Sequence, residues 1–137
     1  MDRAAARTAG VLSVLPGLMF GLPGIYGAWY LASHGDVWYF VGYPTYGDGP
    51  FVAAGLPNSV SLVVAFLLVC TAEVILGWRL WRRRPGAAAF AWALLPFELA
   101  FWISFALPYG FVFGAARGVA LLAGRRGRRA TPPPAAR

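Results

Sequence analysis

Glu73, Glu98 and Arg117 are ionisable residues that each fall inside a long apolar run. A charged side chain at mid-membrane depth costs roughly 2.5–3.5 kcal/mol on insertion scales, so such residues turn toward the interior of a helix bundle and pair with one another. In that setting a carboxylate can clamp an arginine, carry a proton for acid–base chemistry, or hold a ligand. The rest of the chain offers no phosphate-binding loop, nucleophile triad, paired-histidine motif or metal-ligand cluster. His34 is the single histidine, and with Asp36 and Asp48 in the same stretch it offers at most a weak proton or metal site; a lone loop histidine is ordinarily just solvated. Cys70 is the single cysteine, so an intramolecular disulfide and a cysteine-based metal motif are both excluded. Neither a metal nor a cofactor is expected.

The elements that must position the three charges follow from hydropathy. With 59% hydrophobic and 12% charged residues over 137 positions, the chain carries about half the charge of a soluble domain, and its surface is expected to face lipid. Four apolar runs, about 8–32, 59–81, 87–107 and 109–124, are read as spans of an all-α, antiparallel four-helix transmembrane bundle. Residues 1–124 form that domain, and 125–137, basic and proline-rich, are expected to be a disordered tail. Pro16 and Pro23, with Gly17, Gly21, Gly24 and Gly27, give the first span a narrow face for close packing. Pro96 frees the carbonyl near Trp92 and predicts a kink beside Glu98. Pro108, Tyr109 and Gly110 are expected to make a tight turn.

Twelve arginines and no lysine give a formal net charge of +7. Except for Arg117, the arginines sit before the first run, at the end of the second run (Arg79) or just after it, or after the fourth, as topology signals do. A nucleic-acid interface would instead need a clustered basic face, and none is expected. The pattern places both termini inside, in a multi-pass protein of a bacterial cytoplasmic membrane; the lack of lysine fits a GC-rich genome. The basic tail is a candidate contact for anionic lipid. The stretch Ser33 to Asn58, without a single arginine, is expected outside. Its aromatic and turn residues fit either a short β-hairpin over the membrane face or rings lying at the headgroups.

Helix rise sets the depth of each charge. Glu98 lies about 13 Å below the outer end of the third span and Arg117 about 12 Å below that of the fourth, so they are level and predicted to pair; Glu73, about 20 Å down, either joins them or stands apart. Two acids against one base leave an excess charge, which a proton on Glu73 would remove. Gly110, Gly114 and Gly118 repeat every four residues and admit a close neighbour to the fourth span, within the bundle or in a homo-oligomer. Glu98, Phe101 and Trp102 look like a pocket wall, to which Glu73 and Arg117 would add polar groups.

Two functions are consistent with this pattern. One is a non-enzymatic binding or accessory subunit, stabilised by a Glu98–Arg117 pair and partnered with another membrane protein or with itself. The other is a carboxylate-based enzyme or proton-coupled carrier for a small lipophilic molecule, with Glu73 and Glu98 as the working acids.

Overall fold

The computed structural model describes residues 2–40, 42–46 and 49–129. The order is α1 (Arg3–His34), β1 (Tyr39–Phe40), β2 (Tyr43–Pro44), α2 (Pro50–Ala53), α3 (Val60–Trp81), α4 (Ala87–Ser104) and α5 (Pro108–Arg129). Of these, α1, α3 and α4 are long and apolar enough to cross a membrane, and they mark the chain as an all-α membrane protein.

Local chemistry sets the helix ends. The Asp2 carboxylate accepts the Arg3 N–H at the start of α1, and Gly35, at φ +72°, closes its other end by donating to the Leu31 carbonyl. Ser59 caps α3 by accepting from the Leu62 N–H. Two ends lack glycine where a left-handed residue is needed. After α3, Arg83 at φ +54° donates to Leu80 and Arg84 donates to Arg79; after α4, Ala106 at φ +51° donates to Ile103 and Leu107 donates to Trp102. Both are Schellman closures. The second corrects the sequence reading of the last turn. The chain reverses at Phe105–Leu107, and Pro108 opens α5, because a proline's fixed φ and missing N–H cost nothing in a helix's first turn. α5 runs on to Arg129, past the end of the apolar run at Gly124. The tail from 130 onward lies outside the described residues.

α1 packs against α3 and α5, and α4 against the same two helices. The buried positions of α3 are Val63, Phe66, Cys70, Glu73, Leu76, Gly77 and Leu80, a seam that recurs every three or four residues with Leu76 and Gly77 side by side in it. Those of α5 are Gly110, Gly114, Arg117, Leu121 and Gly124. On α1 the buried face is mostly glycine, alanine, serine and proline, which brings α1 and α3 into backbone contact. A Cβ on Gly10 would lie 2.9 Å from the Gly77 carbonyl oxygen, and one on Gly17 would lie 2.7 Å from that of Cys70. The start of α1 therefore meets the end of α3, so the two run antiparallel.

Between α1 and α3, β1 and β2 pair antiparallel with Tyr39 opposite Pro44 and Phe40 opposite Tyr43. Beyond them Tyr46 turns inward at φ +63° and is buried. Its ring lies against Phe66 and Phe105, its hydroxyl donates to the Phe20 carbonyl at 2.6 Å, and Gly24 and Gly27 leave room for it on α1.

Candidate functional site

The interior divides into two apolar clusters with a charged layer between them. One cluster holds Ala9, Leu76, Leu80, Ala87, Ala91, Leu94 and Leu121; the other holds Phe20, Tyr46, Val63, Phe66, Cys70 and Phe105. Along α3, Glu73 stands between Cys70 of the second and Leu76 of the first. Along α4, Glu98 stands between Leu94 of the first and Phe105 of the second. On α5, Arg117 precedes Leu121 by one turn. On α1, Ser13 is fully buried one turn from Ala9, and its hydroxyl donates to the Ala9 carbonyl. The helix periodicity that builds the seams thus also stacks the polar residues in one layer.

Glu98 and Arg117 meet here. The guanidinium straddles the carboxylate, with Nη1 donating to Oε1 at 2.8 Å and Nη2 donating to Oε2. Glu98 is 0% exposed and Arg117 is 2% exposed. The bidentate fork is the strongest geometry open to such a pair, and each partner offsets the cost of burying the other. Equal depth on either side of a short turn was the sequence signal for this contact.

Glu73 is 1% exposed. It lies within electrostatic range of Glu98 and Arg117, so it joins the layer. The depth count placed it lower because it followed one helix from its own end and could not see how far α3 slides along α4. Oε1 of Glu73 is buried with no hydrogen-bond partner. From α1, the neighbour at this level is Gly17, whose position leaves a Cβ only 3.2 Å from the Glu73 Cβ.

The aromatic residues beside Glu98 are engaged in packing. Phe101 lies against Phe66, Phe105 and Phe51. Trp102 is almost fully buried and lies across Gly110 and Gly114, where a Cβ would come within 2.4 Å and 2.6 Å of its indole. Trp92 is the neighbour of Gly118, at an ordinary 3.7 Å. The glycine row of α5 is therefore a bed for indole rings from α4. Burial pushes the Tyr46 phenol far above its usual range, with Cys70 adding to the effect, so the hydroxyl stays a donor. Sequence reasoning missed Tyr46. The one available signal was Gly24 and Gly27, spaced for a bulky neighbour.

A groove of about 240 Å³ opens between α1 and α3, and none of the three charged residues lines it. Among the described residues no group of three His, Cys, Asp or Glu side chains is placed to hold a metal ion. His34 instead stacks on Tyr30, and Asp48 lies outside the described residues. Family models, curated proteins and solved structures give no match to this chain.

Proposed function

We propose that the chain is a four-span membrane protein of a bacterial cytoplasmic membrane with both termini inside, acting as a non-enzymatic binding or accessory subunit. The observation that carries this reading is the bidentate, fully buried Glu98–Arg117 pair between two packed clusters. Such a pair fixes the register of α4 on α5, whereas an acid working on a substrate would need one of its oxygens free. α5 is the fourth span in this reading. Its one mid-helix charge is neutralised before it meets lipid, and its end joins the arginines of the α3–α4 turn and of the α1 start. The Trp102 indole seated on Gly110 and Gly114 supports a static α4–α5 interface. The face left for a partner membrane protein, or for a second copy, is the lipid-facing one.

The test is unfolding in detergent micelles. Arg117→Met leaves Glu98 buried without its counter-charge and is expected to cost about 3–5 kcal/mol, of which Glu98→Gln in the same chain restores the larger part. A double variant no more stable than Arg117→Met would refute the clamp.

One observation favours the second reading, a proton-coupled carrier or carboxylate enzyme for a small lipophilic molecule: the unpartnered Oε1 of Glu73. Glu73→Gln separates the two. A clamp keeps or gains stability with glutamine there, while a carrier reconstituted in liposomes loses its coupled proton movement with the fold intact.

A further inference from the structure

The seam between α1 and α3 carries two features that the charged layer does not use. At mid-depth it opens into the groove, lined by Gly17, Gly21 and Ile25 of α1 and by Leu67, Thr71 and Val74 of α3. Among the described lining residues the one hydroxyl is internally satisfied, because Thr71 Oγ1 donates to the Leu67 carbonyl at 2.8 Å. What the groove offers a ligand is therefore apolar surface. One and two turns further along α3 the same face carries Trp78 and Trp81, both half exposed. The guanidinium carbon of Arg7 stands 5.3 Å from the centre of the Trp81 ring, and those of Arg82 and Arg84 stand 6.0 and 5.9 Å from that of Trp78. Arg82 follows Trp78 by one helical turn, and the left-handed Arg83 turns Arg84 back over the same indole. Among the described residues the acid at this end is Asp2, whose Oδ1 accepts the Arg3 N–H at the start of α1.

We propose that this seam binds one anionic phospholipid, its phosphate held by Arg7, Arg82 and Arg84 at the level of the two indoles and one acyl chain lying in the α1–α3 groove. The lengths agree. From Thr71 or Val74 to Arg82 is roughly 12–16 Å along the helix, and one leaflet's chains cover about half of a hydrocarbon core some 30 Å thick. The charges agree too. Guanidinium groups parked over indole faces keep their N–H edges free for phosphate oxygens, and basic sites beside a span select acidic headgroups. A zwitterionic lipid brings its own cation and loses that selection.

The experiment is native mass spectrometry of the full chain, delipidated in detergent and offered equal amounts of phosphatidylglycerol and phosphatidylcholine with identical chains. The wild type should retain phosphatidylglycerol with a roughly tenfold preference, and that preference should fall as salt is raised. Replacing Arg7, Arg82 and Arg84 together by glutamine should bring it close to onefold. Thr71→Trp, an exposed position that would fill the groove, should lower retention of both lipids alike. A preference that survives the triple replacement, or that ignores salt in the wild type, overturns the headgroup assignment. Undiminished retention by Thr71→Trp overturns the acyl-chain assignment. The salt series uses the unaltered protein, so the proposal stays open to refutation even if the triple variant does not fold.

Discussion

Toward the arginine-rich end, the core is alanine and leucine drawn from the four long helices, with α1 and α3 in contact through Gly10 and Gly77. Toward the opposite end it is mainly phenylalanine and tyrosine, with Val63 and Cys70, and one member, Tyr46, comes from the segment between α1 and α3. The first half is tight because its residues are small, so backbones meet. The second half is filled because its rings are large, and a loop residue must be held in a left-handed conformation to complete it. Small-residue packing needs only helices in the right register, whereas aromatic packing here also depends on the loop. The charged layer separates these two ways of building a core.

That contrast breaks most directly at Tyr46. Tyr46→Ala should cost about 3–5 kcal/mol in detergent unfolding, as large aromatic truncations in a core do, and should expose 35–59 to protease. If stability and cleavage are unchanged, the loop is no part of the core. In the other half, Gly77→Ala would set a Cβ 2.5 Å from Val14 Cγ2 and 2.6 Å from the Gly10 carbonyl oxygen. Overpacking of that kind is expected to cost about 1–3 kcal/mol. Gly21→Ala, with 3.2 Å to the Cys70 Cβ, should cost less, and equal losses would erase the distinction drawn between the two halves. Tyr46→Phe removes only the hydroxyl bond to Phe20 and should cost about 0.5–1.5 kcal/mol.

The same phenol makes a pH prediction. Its folded-state pKa is raised above the unfolded value of about 10, so its contribution is complete below that pH and declines as pH rises beyond it. The wild type should lose stability through this alkaline range, and Tyr46→Phe should lose less. The smallest effect compares the two closures. Arg83→Gly and Ala106→Gly should each add about 0.5–1 kcal/mol by relieving a left-handed side chain. Similar gains at both ends would show that the halves differ in core filling and not in how their helices stop.

Much of this arrangement is legible in the sequence because it rests on periodicity. The three apolar helices follow from hydropathy, and the Glu98–Arg117 contact follows from equal spacing about a short turn. Two things were not legible, for physical reasons. Glu73 joins the layer because of how far α3 slides along α4, a tertiary quantity that counting along one helix does not contain. Tyr46 enters the core because its ring fits over Gly24 and Gly27, yet in sequence it is one aromatic among several in a turn-rich stretch. The row Gly110, Gly114 and Gly118 was legible as a packing surface. Its occupants, Trp102 and Trp92, depend on which α4 side chains the register brings opposite.

Read as the fourth span, α5 also bears on how the chain enters a membrane. Of the four long helices it is the one that does not qualify as a span on its own hydropathy, and an arginine at the centre of a segment opposes insertion by roughly 2.5–3.5 kcal/mol. It is also the last to leave the ribosome, by which time the carboxylate that neutralises Arg117 has already been made. The α4–α5 hairpin would then partition as one unit. With Glu98→Leu, α5 would pass through to the outer side instead of stopping in the membrane, and a tag placed after α5 would be found outside, a misrouting detectable before any loss of fold became measurable.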